Sequence, residues 1–154
     1  MDGLLSHYLR VEDILIDLQV SDKLQVFKAI GRHFEHTRAL PAEAVVSALL
    51  RREQLGSTAV GDGVAIPHAR MQELDHIRAV YLRLSPALPF DTPDDKPVSD
   101  VLVLMVPSPA EQVHLDILAQ AASLFLRNEF RKALHRCATP AEIKEVFDYW
   151  SDWS

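Results

Sequence analysis

A histidine directly after a proline is the residue in this sequence best suited to chemistry. His68 follows Pro67, which ends the short apolar run 64–66. Proline fixes its own φ at about −65°, lacks an N–H donor and disfavours the α region for the residue before it, so the chain turns rigidly here. We expect an imidazole at the end of a strand, on a backbone that nearby glycines keep open: Gly56, Gly61 and Gly63.

An imidazole in this position could accept a phosphoryl group if cationic and donor groups lie beside it. A neutral ring attacks phosphorus through one nitrogen when an acceptor orients the other. The transferring group is anionic, and arginine donors, backbone N–H groups and helix N-termini stabilise it. Arg52 lies sixteen residues before His68, and His114 stands at the expected start of a long helix. We therefore predict that Arg52, His68 and His114 form one catalytic site, with His68 as the nucleophile.

Each of these residues also has a purely structural interpretation. A histidine at a strand corner is often packed or solvated, Arg52 is favourable near a helix C-terminus through the helix dipole alone, and His114 could simply flank an apolar core stripe. His33 and His36 stand three apart and could share a metal ion. The sequence offers no third ligand at a usable spacing and no H-E-x-x-H motif, so we expect neither a metal site nor a cofactor.

Short apolar runs that alternate with helical periodicity indicate how these residues are positioned. A first helix should follow the N-cap pair Ser21-Asp22, and a second should run from Pro41 to about Gln54. From Pro109 onward the chain should be helical, with one helix starting at Thr139-Pro140. Strands are expected at 14–16, 59–60, 64–66, 79–82 and 101–106, the last covered on both faces, and a long loop is expected around Pro86, Pro89, Pro93 and Pro97.

The order of elements and the composition indicate one α/β domain. Strands interleaved with helices, followed by a helical C-terminal third, predict an α/β sandwich with a mixed sheet. The chain has 154 residues, of which 48% are hydrophobic and 25% charged, as in ordinary soluble globular proteins. This length is enough for a substantial core.

Net charge and cysteine content limit the classes of function that this chain could have. A net charge of −6 gives nucleic-acid binding no general support, although the adjacent Arg51 and Arg52 leave room for a local basic patch. Cys137 is the only cysteine, which excludes an intrachain disulfide and favours a reducing compartment. The N-terminus lacks the pattern of a signal peptide, and no apolar run approaches the ~20 residues needed to span a bilayer. We expect a cytoplasmic protein without nucleic-acid partners or membrane insertion.

The segment from Arg52 to His68 resembles the phosphorylation-site signature of the fructose/mannitol-type IIA domains of the bacterial phosphotransferase system. It reads REQLGSTAVGDGVAIPH and contains several fixed positions of that signature. The opening VEDILIDL at 11–18 and the helix after Ser21 resemble the nitrogen-regulatory branch of the family. The likeness covers nearly the whole chain, and we expect the domain to span residues 6–153.

This resemblance implies a fold, a site and a function. The fold is a three-layer α/β/α sandwich around a mixed sheet. His68 would accept a phosphoryl group on Nε2 from the phosphohistidine of a small HPr-like carrier, while Arg52 and His114 stabilise that group. We expect a regulatory phosphocarrier, passing phosphate from protein to protein, that signals nitrogen, carbon or ion status through contacts with target proteins. The alternative is a sugar-transport component that passes the group to a IIB domain, and a non-phosphorylated binding module is a third interpretation.

Three positions depart from the family pattern. Ala69 and Arg70 stand where members commonly have glycine and lysine, and Asp62 stands where asparagine is common. Alanine is small and Arg70 keeps the charge, so we expect phosphorylation to survive these changes. Asp62 adds a negative charge in the signature. It either weakens the affinity for the phosphoryl group or is directed away from it.

Overall fold

Two layers of helices enclose a six-stranded sheet in the computed structural model, which describes residues 4–38, 40–109 and 111–151. The predicted domain end at residue 153 and the first three residues lie outside the described residues. Two 3-10 turns, Leu5–Tyr8 and Val11–Asp13, precede the sheet. The strands are β1 (Ile14–Leu18), β2 (Ala59–Gly61), β3 (Val64–Ala65), β4 (His68–Met71), β5 (Arg78–Leu88) and β6 (Val98–Pro107). The helices are α1 (Lys23–Arg38), α2 (Ala42–Gln54), α3 (Gln112–Leu126), α4 (Asn128–Arg136) and α5 (Pro140–Ser151).

The sheet is mixed, and its strand order is β1-β5-β6-β3-β2, with β4 also paired to β6. The central strands β5 and β6 are antiparallel, whereas β3 and β4 both run parallel to β6. In the register, Val64 of β3 lies opposite Asp100 and His68 of β4 lies opposite Leu104. The two short strands therefore follow one another along the same edge of β6, and Pro67 stands in the break between them.

Successive side chains of the two central strands point to opposite faces of the sheet, and this divides the buried core into two parts. Val80 and Val103 pack with α1 and α2 on one face, while Tyr81 and Leu102 pack with α3, α4 and α5 on the other. Residues 101–105 of β6 are almost completely buried, as predicted for a central strand covered on both faces. The three-layer α/β/α sandwich with a mixed sheet is confirmed.

Side-chain caps explain two of the predicted helix starts. The carboxylate of Asp22 accepts the backbone N–H of Gln25 at 2.8 Å, and the hydroxyl of Thr139 accepts the N–H of Glu142 at 3.2 Å. The second helix ends at Gln54, as predicted, but it begins at Ala42, with Pro41 as its N-cap and no side-chain cap. Its start lies against α1, where a Cβ on Gly31 would come within 2.8 Å of the Ala42 carbonyl oxygen.

Two parts of the strand prediction were wrong. Strand β5 continues through Pro86 to Leu88, so the proline-rich loop is shorter than predicted. The register with β6 shifts between Arg83 and Leu88, and because the ladder is interrupted there, the missing N–H of Pro86 costs no strand hydrogen bond. Strand β4 was not predicted, although Ala69 and Met71 alternate as buried positions within it.

A buried polar network ties α4 to the sheet. Asp100 on β6 is fully buried, and it accepts hydrogen bonds from the hydroxyl of Tyr81 and from Nε2 of His135 at 2.7 Å. Burial and the neighbouring carboxylate raise the pKa of Tyr81 well above its ordinary value, so its hydroxyl remains a donor. The hydrogen bond from Asp100 raises the pKa of His135 above the ordinary 6.5, although partial burial opposes this effect.

We expect His135 to make the stability of the protein depend on pH. Because its folded-state pKa is raised, its stabilising contribution is complete below the unfolded-state value and is lost as the pH rises through the folded-state pKa. The difference in free energy of unfolding between the wild type and His135→Gln should therefore shrink between about pH 5.5 and pH 8.5 in urea titrations. His36→Gln removes an exposed histidine of α1 as the control. A difference that is constant or grows with pH would contradict this assignment.

Candidate functional site

His68 is held at the first position of β4 by the corner that Pro67 forms. Its Nδ1 lies 2.8 Å from the carbonyl oxygen of Ile66. A carbonyl oxygen can only accept a hydrogen bond, so Nδ1 carries the proton and Nε2 of the neutral ring is left with a free lone pair. The imidazole is thus oriented through one nitrogen and available for attack through the other.

Arg52 approaches the available nitrogen from the last turn of α2. Its Nε–H donates to His68 Nε2 at 3.2 Å, and its terminal NH1 donates to the carbonyl oxygen of Gly56 at 2.9 Å. Since a guanidinium can only donate, this contact independently requires Nε2 to be an acceptor. Gly56 has a φ of 153°, which side chains rarely adopt, and it forms the turn that anchors the guanidinium.

The surroundings of His68 favour its neutral form. Burial is the main cause that lowers its pKa below the ordinary value, and the charge of Arg52 lowers it further, while the hydrogen bond to Ile66 acts in the opposite direction. A lowered pKa means that most of the ring is unprotonated near neutral pH. This is the form that can act as a nucleophile.

Sequence reasoning missed a buried carboxylate beside Arg52. Both oxygens of Glu53 are hydrogen-bonded: Lys23 Nζ donates at 2.9 Å, and Thr58 donates through its backbone N–H at 3.1 Å and through its hydroxyl at 2.8 Å. Burial alone would raise the pKa of Glu53, but these hydrogen bonds outweigh it and hold the pKa below its ordinary value. Glu53 and Thr58 fix the chain between α2 and β2. Their place inside the signature segment was the only sequence signal for this role.

His114 enters the site from the first turn of α3. The backbone N–H of Glu111 donates to His114 Nδ1 at 2.9 Å, while the Glu111 side chain accepts the backbone N–H of His114. This capping arrangement makes Nδ1 an acceptor, so the proton of the neutral ring is on Nε2. His114 and His68 are therefore opposite tautomers. One offers an N–H donor from Nε2, and the other offers a lone pair there.

All three predicted site residues line one cleft of about 510 Å³. Its walls are the end of α2 and the start of α3, and its floor includes β4 and the end of β6. Among the described residues that line it, there is no carboxylate. A shallower cavity of about 620 Å³ lies beside the first 3-10 turn and α5, and it contains none of the three residues.

The three departures from the family pattern have clear places in the structure. Ala69 is buried in the core under α2, and Arg70 is exposed at the cleft. Asp62 lies in the turn between β2 and β3, where its carboxylate is 3.9 Å from both Lys96 and Arg131. This turn leads into β3 opposite Asp100, roughly 13 Å along β6 from the position opposite His68. Of the two interpretations of Asp62, the structure supports the one in which it is directed away from the site.

Among the described residues, no group of three or more histidine, cysteine, aspartate or glutamate side chains could hold a metal ion. His33, considered above as a ligand together with His36, is hydrogen-bonded through Nε2 to Asp13 at 2.8 Å. In the same part of the chain, no helix is long and apolar enough to cross a bilayer.

Comparison with known proteins identifies the family. The family model described as phosphoenolpyruvate-dependent sugar phosphotransferase system, EIIA 2, matches residues 7–150. The chain belongs to this family of phosphotransferase IIA proteins.

Within the family, the chain is similar to nitrogen regulatory proteins. It is 37% identical over 135 residues to the nitrogen regulatory protein of Bradyrhizobium diazoefficiens, covering 88% of each chain. The crystal structure of nitrogen regulatory protein IIA-Ntr from Neisseria meningitidis matches with a TM-score of 0.88 and 32% identity, covering 93% of this chain and 98% of that one. A fructose-specific EIIA component of Haloferax volcanii is 29% identical over 104 residues, covering 68% of each. The predicted resemblance to the nitrogen-regulatory branch is confirmed.

Replacement of Arg52 should change the titration of His68. Because the arginine charge lowers the pKa of His68, Arg52→Ala should raise it toward the ordinary value, as followed by NMR titration of the ring. Arg136→Ala, which removes an exposed arginine from the last turn of α4, is the matched control. An unchanged His68 titration in Arg52→Ala would show that the guanidinium does not act on the ring.

Proposed function

We propose that this protein is a regulatory phosphocarrier. His68 accepts a phosphoryl group on Nε2 from the phosphohistidine of an HPr-like protein, and the phosphorylated and free forms are distinguished by target proteins. One observation carries the proposal: the Ile66 carbonyl and the Arg52 guanidinium together leave Nε2 as the unprotonated nitrogen. The cytoplasmic location expected from the sequence is part of the same proposal.

The bonds that form and break balance between two histidines, His68 and the phosphohistidine of the donor. Nε2 of His68 attacks phosphorus, and its N–P bond forms as the N–P bond of the donor breaks, with the bonding pair leaving on the donor imidazole. The proton on Nδ1 stays in place, hydrogen-bonded to the Ile66 carbonyl. That carbonyl dipole stabilises the positive charge that the ring gains as Nε2 bonds to phosphorus.

Hydrogen-bond donors around His68 can stabilise the negative charge of the phosphoryl group. Phosphorylation adds roughly two negative charges near neutral pH. When Nε2 becomes bonded to phosphorus, it can no longer accept the Nε–H of Arg52, and that donor becomes free for a phosphoryl oxygen while NH1 remains anchored on Gly56. His114 offers a second donor from Nε2, and the positive end of α3 adds a favourable dipole.

A regulatory role and a transport role use the same chemistry at His68. The similarity to proteins named nitrogen regulatory protein supports signalling. The similarity to a fructose-specific EIIA component supports the alternative, in which the phosphoryl group passes on to a IIB domain. Phosphate transfer to a IIB protein with consumption of sugar would favour transport, whereas binding of a target that depends on the phosphorylation state would favour regulation.

Labelling by a phosphorylated HPr-type carrier tests the proposal. The wild type should acquire acid-labile phosphate, and His68→Ala should acquire none. Arg52→Ala should be labelled about tenfold to a hundredfold more slowly, because a hydrogen bond to a charged group contributes roughly 1.5–3 kcal/mol. Arg136→Ala should behave as the wild type, and circular dichroism checks that each variant is folded.

Two results would contradict this function. One is a folded wild type that takes no phosphate from any phosphorylated HPr-type carrier. The other is full labelling of His68→Ala, which would place the phosphoryl group on another residue.

A further inference from the structure

The carboxylate of Glu53 closes the loop between α2 and β2. Its side chain is only 8% exposed, and it accepts the backbone N–H of Thr58 at 3.1 Å and the Thr58 hydroxyl at 2.8 Å. Lys23, the first residue of α1, donates to the same carboxylate at 2.9 Å. A carboxylate close to an incoming phosphoryl group repels it unless an opposite charge compensates it. Lys23 supplies that charge, so the loop is held without an uncompensated anion beside the site.

The closed loop contains the anchor of the Arg52 guanidinium. Gly56 lies inside the loop, where its backbone N–H donates to the Glu53 carbonyl at 3.2 Å and its carbonyl accepts NH1 of Arg52 at 2.9 Å. From this anchor, Arg52 Nε reaches Nε2 of His68 at 3.2 Å. A displacement of the loop would therefore move the guanidinium relative to the ring nitrogen that is available for attack.

The same loop also leads to the other ring nitrogen of His68. The carbonyl oxygen of Thr58 accepts the N–H of Ile66 at 3.0 Å, and the Ile66 carbonyl accepts the proton on His68 Nδ1 at 2.8 Å. The carbonyl that determines the tautomer is therefore held by a residue that Glu53 holds in turn. Glu53 is thus linked by hydrogen bonds to both ring nitrogens, although its own carboxylate does not line the cleft.

We propose that Glu53 is a positioning residue for His68, fixing both its tautomer and the approach of Arg52. This inference rests on the proposed function, to which it adds a residue that prepares the nucleophile. Because Thr58 and Lys23 both donate to Glu53, the property that matters is an acceptor oxygen rather than a negative charge. A glutamine keeps such an oxygen, and its amide can donate to the Thr58 hydroxyl, whereas a methionine of similar length has no oxygen to offer.

The ¹⁵N chemical shifts of the His68 ring in the unphosphorylated protein report which nitrogen carries the proton. At a pH well above the pKa of the ring, the wild type and Glu53→Gln should both show a protonated Nδ1 and an unprotonated Nε2. In Glu53→Met the two shifts should move toward each other, because the opposite tautomer becomes populated. Glu43→Met makes the same replacement at an exposed position in the first turn of α2 and should keep the wild-type shifts.

The kinetics of phosphoryl transfer give a second readout. With a phosphorylated HPr-type carrier, the single-turnover rate constant of Glu53→Met at saturating carrier should fall about threefold to tenfold, as expected for the loss of one neutral hydrogen bond. The carrier concentration that gives half-saturation should stay unchanged, because the buried side chain does not meet the donor. Phosphoramidate, a small donor that releases ammonia, should show the same loss. Glu53→Gln should recover most of the rate, which an effect of charge alone would not permit.

The outcomes separate the role of Glu53 from the function beneath it. A folded Glu53→Met with wild-type ring shifts and rate would overturn the inference, and so would equal losses in Glu53→Gln and Glu53→Met, which assign the effect to charge. If Glu53→Met does not fold, Thr58→Val and Thr58→Ser decide instead. Only serine keeps the hydroxyl that donates to Glu53, so only valine should move the ring shifts, and equal shifts in the two variants would overturn the inference. If no donor labels the wild type, the proposed function is wrong, while the ring shifts still decide whether Glu53 sets the tautomer.

Discussion

The hydrogen bond from His68 Nδ1 to the Ile66 carbonyl is the contact on which the site depends. Pro67 keeps Ile66 in an extended conformation, so the Ile66 carbonyl cannot turn back into a helical hydrogen bond. The corner is held from both sides: the N–H of Ile66 donates to Thr58 at 3.0 Å, and the carbonyl of Pro67 accepts from Leu104 at 2.9 Å. A rigid carbonyl therefore determines which ring nitrogen carries the proton. Without it, only the Arg52 contact would favour the tautomer that has its lone pair on Nε2.

The layered architecture brings the other donors to this ring. Helix α2 packs on one face of the sheet and supplies Arg52, whereas α3 packs on the other face and supplies His114. His68 lies between them because β4 pairs with β6 on one side and borders the cleft on the other. Both parts of the core must stay packed to hold α2 and α3 at a fixed separation across the cleft. The position of the His68 ring relative to Arg52 and His114 thus depends on packing throughout the domain.

Features that depend on near neighbours in the chain were predictable from the sequence. The corner at His68, the helix starts and the apolar central strand all follow local rules. Other features depend on distant contacts that no local pattern encodes. The role of Glu53 needs a lysine thirty residues earlier, and the orientation of Asp62 needs an arginine sixty-nine residues later. Local rules place Pro86 in a loop, because the register shift that admits it into β5 exists only in the folded sheet.

NMR of the phosphorylated protein with ¹⁵N-labelled histidine tests the central claim most directly. Coupling between phosphorus and a ring nitrogen identifies both the residue and the atom that carries the phosphoryl group. The hydrogen bond from Nδ1 to Ile66 predicts phosphorus on Nε2 of His68, with Nδ1 still protonated. Phosphorus on Nδ1 of His68, or on any other histidine, would contradict the account.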